Sequence, residues 1–197
     1  MGGTMIAEVP NAWPVPPQDG YTVDDLLTLP DLPPHTELID GSLVFVSPQR
    51  YFHSLVIDLL VGGLRRTAPP DLKAVREMTV MLDKRNGPEP DVSVIRAEAV
   101  TGGMQTHFLA ADVQLAVEVS PDSEARDRSR KPLLYAQAGI PHFWLVEMGG
   151  ADDRPVVHVF ERSHVTQSYA LTGIHHDRLK LSVPFDIDID LGDIDNL

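Results

Sequence analysis

Two acidic residues stand where carboxylates are costly. Glu118 lies inside the run 113–119, among Leu115, Ala116, Val117 and Val119, which predicts a buried strand. A carboxylate in such a strand must be paired, hydrogen-bonded or bound to a metal. Asp91 raises the same question just before Val92, Ser93, Val94 and Ile95, a second short strand. Cations follow at Arg126, Arg128, Arg130 and Lys131. Two acids converging from neighbouring strands make a hard-oxygen site, of the kind Mg²⁺ completes with waters and substrate phosphate. The cations suit a phosphate ester, whose oxygens gain charge during attack. The plainer reading of the same residues is a turn-capping Asp91 and a structural ion pair at Glu118.

The order of the motifs separates these readings. Glu-Leu-Ile-Asp-Gly at 37–41 is followed by Pro-Asp-Val at 90–92 and Glu-Val-Ser-Pro at 118–121. Arg126 and Asp127 then precede Lys131 and Tyr135, and Ala-Gly-Ile-Pro-His-Phe-Trp-Leu-Val closes the set at 138–146. This series resembles the Uma-type family of restriction endonucleases, a branch of the PD-(D/E)xK nuclease superfamily, over about residues 21–195. The resemblance implies a restriction-endonuclease-like core, Mg²⁺-dependent phosphodiester hydrolysis with Mn²⁺ as a substitute, and a homodimer. It assigns Asp91 to the Pro-Asp acid and Glu118 to the acid of the motif strand, with the Val119 carbonyl as a further metal ligand. Glu37 matches the early Glu of the family, binding a second metal or positioning water. The third motif position is Ser120 rather than Lys, and Lys131 on the following helix takes its place. Pro132 directly after Lys131 is a second departure from the pattern.

The elements that must position these residues follow from periodicity and turn chemistry. Asp40-Gly41 between apolar flanks predicts a β-hairpin over 37–46, with Glu37 aimed either at the site or at solvent. Thr22 caps a short helix over 23–29, and residues 52–67 form an amphipathic helix. Gly62-Gly63 weakens that helix unless another part of the chain passes close. His53 at its start reads as a terminal polar residue or a phosphate contact. Strands are expected over 72–82 and 88–95, and 97–111 reads as loop, His107 included. A helix capped by Asp127 runs to Gln137 and ends at Gly139, sharing one face between Lys131 and Tyr135, which packs beside it. Core strand 143–147 and antiparallel strands 156–161, 165–171, 179–183 and 185–190 complete the chain.

The chain has 197 residues, 43% of them hydrophobic, which suits one domain with a sizeable core. Residues 1–20, rich in Pro and Gly, read as a poorly ordered arm before a single nuclease domain at 21–197. There is no cysteine, hence no disulfide and no cysteine-based zinc site. No apolar run reaches membrane-spanning length and no signal-peptide pattern opens the chain, so the expected location is cytoplasmic, with no membrane partner. The net charge of −13 argues against a broad nucleic-acid surface, although clustered cations can line one groove of an acidic body. The expected fold is α/β with a central mixed sheet flanked by helices, an N-terminal hairpin and C-terminal antiparallel strands. The expected activity is that of a metal-dependent endonuclease acting on nucleic acid, DNA in the first instance. The rival is a decayed nuclease fold serving as a binding or regulatory module, which the acidic charge, Ser120 and Pro132 favour.

Overall fold

The computed structural model describes residues 16–45, 48–120, 129–149 and 153–197. Most of the expected arm 1–20, and Asp127 as a helix cap, lie outside the described residues. A six-stranded mixed sheet forms the centre. Its strands are β3 (Leu72–Arg76), β5 (Val92–Arg96), β7 (Val113–Val119), β8 (His142–Gly149), β9 (Arg154–Arg162) and β10 (Tyr169–His175). Their spatial order is β10-β9-β8-β7-β5-β3. Within this sheet only the neighbours β7 and β8 run parallel, with α3 (Lys131–Gln137) in the connection between them. A parallel pair requires such a crossover, and that requirement brings the α3 side chains back over the end of β7.

Both faces of the sheet are covered, which explains the nearly continuous apolar sequence of β7. On one face α2 (Tyr51–Thr67) lays Val56, Leu60 and Leu64 against Val94, Val117, Trp144 and Val159. The antiparallel ribbon of β11 (Arg178–Leu181) and β12 (Ile187–Asp190) packs into the same cluster. A Cβ on Gly63 would stand 2.5 Å from the Ile189 side chain, so the glycine admits β12 to the helix surface. On the other face Tyr135 and Ile140 meet Ala116, Phe143 and Leu145, with Tyr135 and Phe143 rings 5.9 Å apart.

The hairpin forms as expected from β1 (Glu37–Ile39) and β2 (Ser42–Val44). Asp40 and Gly41 adopt φ of 52° and 75°, the left-handed pair that a two-residue turn requires. Thr22 caps α1 (Val23–Thr28) in a reciprocal box with Asp25. No helix among the described residues is long and apolar enough to cross a membrane.

Four expected elements change. The strand expected over 72–82 is two strands, β3 and β4 (Thr79–Met81). Glu77 between them has a φ of 51°, which turns β4 out of the main sheet to pair in parallel with β6 (His107–Leu109). The stretch 97–111 is therefore not simply loop, and His107 belongs to a strand. The strand expected over 88–95 begins only at Val92, because residues 88–91 leave the main-sheet ladder before the Asp91 bend. The strand expected over 165–171 lies at Tyr169–His175, displaced by turns over the polar stretch 164–168.

Candidate active site

The β5–β7 register pairs Val92 with Val117, which brings Asp91 to the level of Glu118 at the strand ends. There Asp91 substitutes for a ladder partner: its Oδ2 accepts the Val119 N–H at 2.6 Å. Its Oδ1 lies 2.9 Å from Nε2 of His53, which is buried at the start of α2. An ionised carboxylate only accepts, so that ring nitrogen donates. His53 is thus tied to Asp91 and is more than a simple terminal polar residue.

Glu118 turns towards α3. It is 2% exposed, and Lys131 Nζ donates to its Oε2 at 2.9 Å. The Tyr135 hydroxyl donates to Oε1 at 2.5 Å, a bond beyond the packing role expected for that residue. Lys131 Nζ also lies 2.9 Å from Oε1 of Glu37, which the hairpin buries to 4%. The same Glu37 oxygen accepts the Glu89 N–H at 2.7 Å. Pro132 does not spoil this placement. It stands in the first turn of α3, where an amide has no partner within the helix. Helical side chains lean towards the N-terminus, and Lys131 does so onto the end of β7.

Burying three charged side chains together is tolerable only when each is paired and hydrogen-bonded, as these are. Tyr135 and Lys131 fix both oxygens of Glu118, so its carboxylate plane cannot rotate freely. Among the described residues, no group of three or more His, Cys, Asp or Glu is disposed to hold a metal ion. A single Mg²⁺ asks for less, since one or two carboxylates typically suffice beside waters and phosphate oxygens. The carboxylate oxygens of Asp91 and Glu118, on residues level with each other in the β5–β7 register, have the hardness such an ion prefers.

A histidine–carboxylate pair borders the site. His35 Nδ1 is 2.5 Å from Oε1 of Glu89, at a residue whose φ of 59° is unusual outside glycine. The hydrogen bond to Glu89 raises the His35 pKa, with support from the charges of Glu89, Glu77 and Asp91 and against partial burial. Burial raises the Glu89 carboxyl, partly offset by His35. A raised histidine pKa stabilises the fold fully below the ordinary value of 6.5 and loses that contribution as pH rises through the folded value. His35→Gln is therefore expected to cost stability at about pH 6 and little at about pH 9. Urea unfolding at both pH values checks this, and equal losses at both would contradict it.

A family model described as "Putative restriction endonuclease", that of Uma2, matches residues 23–192. The chain belongs to the Uma2 family. One solved structure agrees on the fold. A crystal structure titled as a putative nuclease belonging to DUF820, from Anabaena variabilis ATCC 29413, superposes with a TM-score of 0.67 at 20% identity, covering 88% of this chain and 96% of that one. NucC from E. coli MS115-1, in its apo form, gives a TM-score of 0.34 at 13% identity over 64% of this chain and 84% of that one, too low to carry an argument. No curated protein matches. The structure brings Glu37, Glu118 and Lys131 into one buried cluster. Asp91 stands beside it, joined through the Val119 amide. Sequence reasoning weighed His53 but missed its bond to Asp91, 38 residues away, and it missed the pair of Glu89 and His35, 54 residues apart.

Proposed function

We propose that this chain is a Mg²⁺-dependent endonuclease that hydrolyses phosphodiester bonds in nucleic acid, with DNA as the first substrate to test. The observation that supports it most is the Lys131 ammonium held 2.9 Å from both Glu37 and Glu118 at the end of the motif strand. Asp91, Glu118 and the Val119 carbonyl would hold the cation. When bound, it lowers the pKa of water and polarises a phosphoryl oxygen.

The remaining work falls to the chain's own groups. Lys131 keeps a positive charge beside the Glu118 carboxylate, where the phosphoryl oxygens become more negative during attack. A lysine suits this place because its ammonium is a compact point charge on a flexible stem. Glu37 positions the attacking water, and Tyr135 keeps the Glu118 carboxylate in one orientation. His53 and the Val119 amide do the same for Asp91. The working assembly in this reading is a homodimer.

Plasmid DNA should be nicked or linearised with Mg²⁺ or Mn²⁺, remain intact in EDTA, and remain intact with Glu118→Ala. Cleavage by Glu118→Ala at the parent rate would end the proposal. The net charge of −13 and Ser120 favour the second reading, a decayed nuclease fold that binds without cutting. That reading requires no measurable Mg²⁺ or Mn²⁺ binding by calorimetry.

A further inference from the structure

The start of α3 is tied to the hairpin twice. The inner tie is the buried pair of Lys131 and Glu37. The outer tie joins the preceding residue to the hairpin turn: Arg130 Nε donates to Asp40 Oδ2 at 2.7 Å, and its Nη2 donates to Oδ1. Two parallel donors from one guanidinium fix direction as well as distance.

Asp40 is itself anchored on a third segment. Its N–H donates to Asn86 Oδ1 at 2.8 Å, and its carbonyl accepts from Arg85 Nη2 at 3.2 Å. The Gly41 N–H donates to the Arg85 carbonyl at 2.9 Å. Leu38 and Gly87 exchange backbone hydrogen bonds beneath them. The turn that presents Asp40 is therefore fixed by partners unrelated to Arg130. Asp40 is also a residue type that accepts its left-handed φ of 52°. Asp40 and Arg130 hold each other charged, the one carboxyl lowered and the guanidinium raised chiefly by their mutual hydrogen bond.

We propose that Asp40 and Arg130 are positioning residues that clamp the first turn of α3 to the hairpin, so that Lys131 stays seated between Glu37 and Glu118. Lys131 follows Arg130 directly, so rotation of the first turn away from the hairpin would carry both cations off their acids together. The catalytic meaning of the clamp rests on the proposed function; its structural meaning does not. Both members are partly exposed, 36% and 51% by side chain, so water and salt screen the pair.

The test reads Lys131 directly. Reductive methylation with formaldehyde and a borane, followed by mass spectrometry, measures the reactivity of the Lys131 amine against exposed Lys73 as an internal reference. Asp40→Asn keeps a residue suited to the left-handed turn, and Arg130→Gln keeps a polar side chain without the charge. Each is expected to speed Lys131 labelling roughly two- to fivefold, the range of an exposed ion pair. The double variant should label no faster than either single one, because both remove the same interaction. In a cleavage assay kcat should fall by a similar factor with KM unchanged. Unchanged labelling in either single variant, or effects that multiply in the double, would overturn the clamp. Faster labelling with a parent protein that never cleaves would leave the clamp standing and count against the endonuclease reading instead.

Discussion

Lys131→Met is expected to lower the cleavage rate by at least about a hundredfold, the lower end of what a positioned proton-holding or charge-stabilising group contributes. The reason is local. Ser120 occupies the third position of the motif strand, and among the described residues Lys131 is the cation placed against Glu118. The same substitution should cost about 3–5 kcal/mol of stability, because it leaves Glu37 and Glu118 buried together without their shared cation. Lys131→Arg separates the two effects. It keeps the charge and so much of the stability, but its planar fork cannot reproduce a point charge shared by two acids. Single-turnover cleavage at a temperature where all three proteins are folded is the measurement. If Lys131→Met cleaves as fast as the parent, the lysine mechanism is wrong. Arg126, Arg128 and Arg130 then become the candidates, of which Arg130 is already committed to Asp40.

Local chemistry made much of this molecule legible. Asp40-Gly41 announced the hairpin because few other dipeptides accept two left-handed residues in succession. Glu118 was conspicuous because a strand buried on both faces has no other charge in it. The family resemblance singled out Lys131 among its neighbouring cations, and helix geometry sends its side chain back towards the strand that precedes it. For the hairpin and for Glu118 the informative signal was a residue that broke its local pattern.

What stayed hidden depended on pairings remote in sequence. Nothing around His53 signals that Asp91, 38 positions on, will share a bond with it. The alternation over residues 72–82 reads as one strand, since Glu77 gives no warning that it will take a positive φ. Tyr135 carried the right spacing to Lys131 but also the apolar ring of a packing residue, and the structure uses both properties. Its ring packs near Phe143 while its hydroxyl holds Glu118. An amphipathic side chain can serve the core and the site at once, and periodicity reports only the core.

Glu118→Gln should lower stability by about 3 kcal/mol, towards the lower end of the range for breaking a buried ion pair. The glutamine keeps the shape and one carbonyl acceptor for Tyr135 or Lys131, but it removes the negative charge facing the ammonium. Lys131 retains Glu37 at 2.9 Å, which limits the loss. The opposite outcome has a physical basis too. Asp91 and Glu118 end neighbouring strands at the same level, and repulsion between them would make the metal-free protein gain stability when one is neutralised. The structure weighs against that gain, because each acid has its own donors: Tyr135 and Lys131 for Glu118, His53 and the Val119 amide for Asp91. Urea unfolding of the metal-free parent and variant decides between them. A more stable variant would mean that Glu118 is a crowded carboxylate waiting for a cation. A less stable one would mean that Lys131 and Glu118 form part of the fold as well as part of the site, so any metal must bind beside an ion pair that is already made.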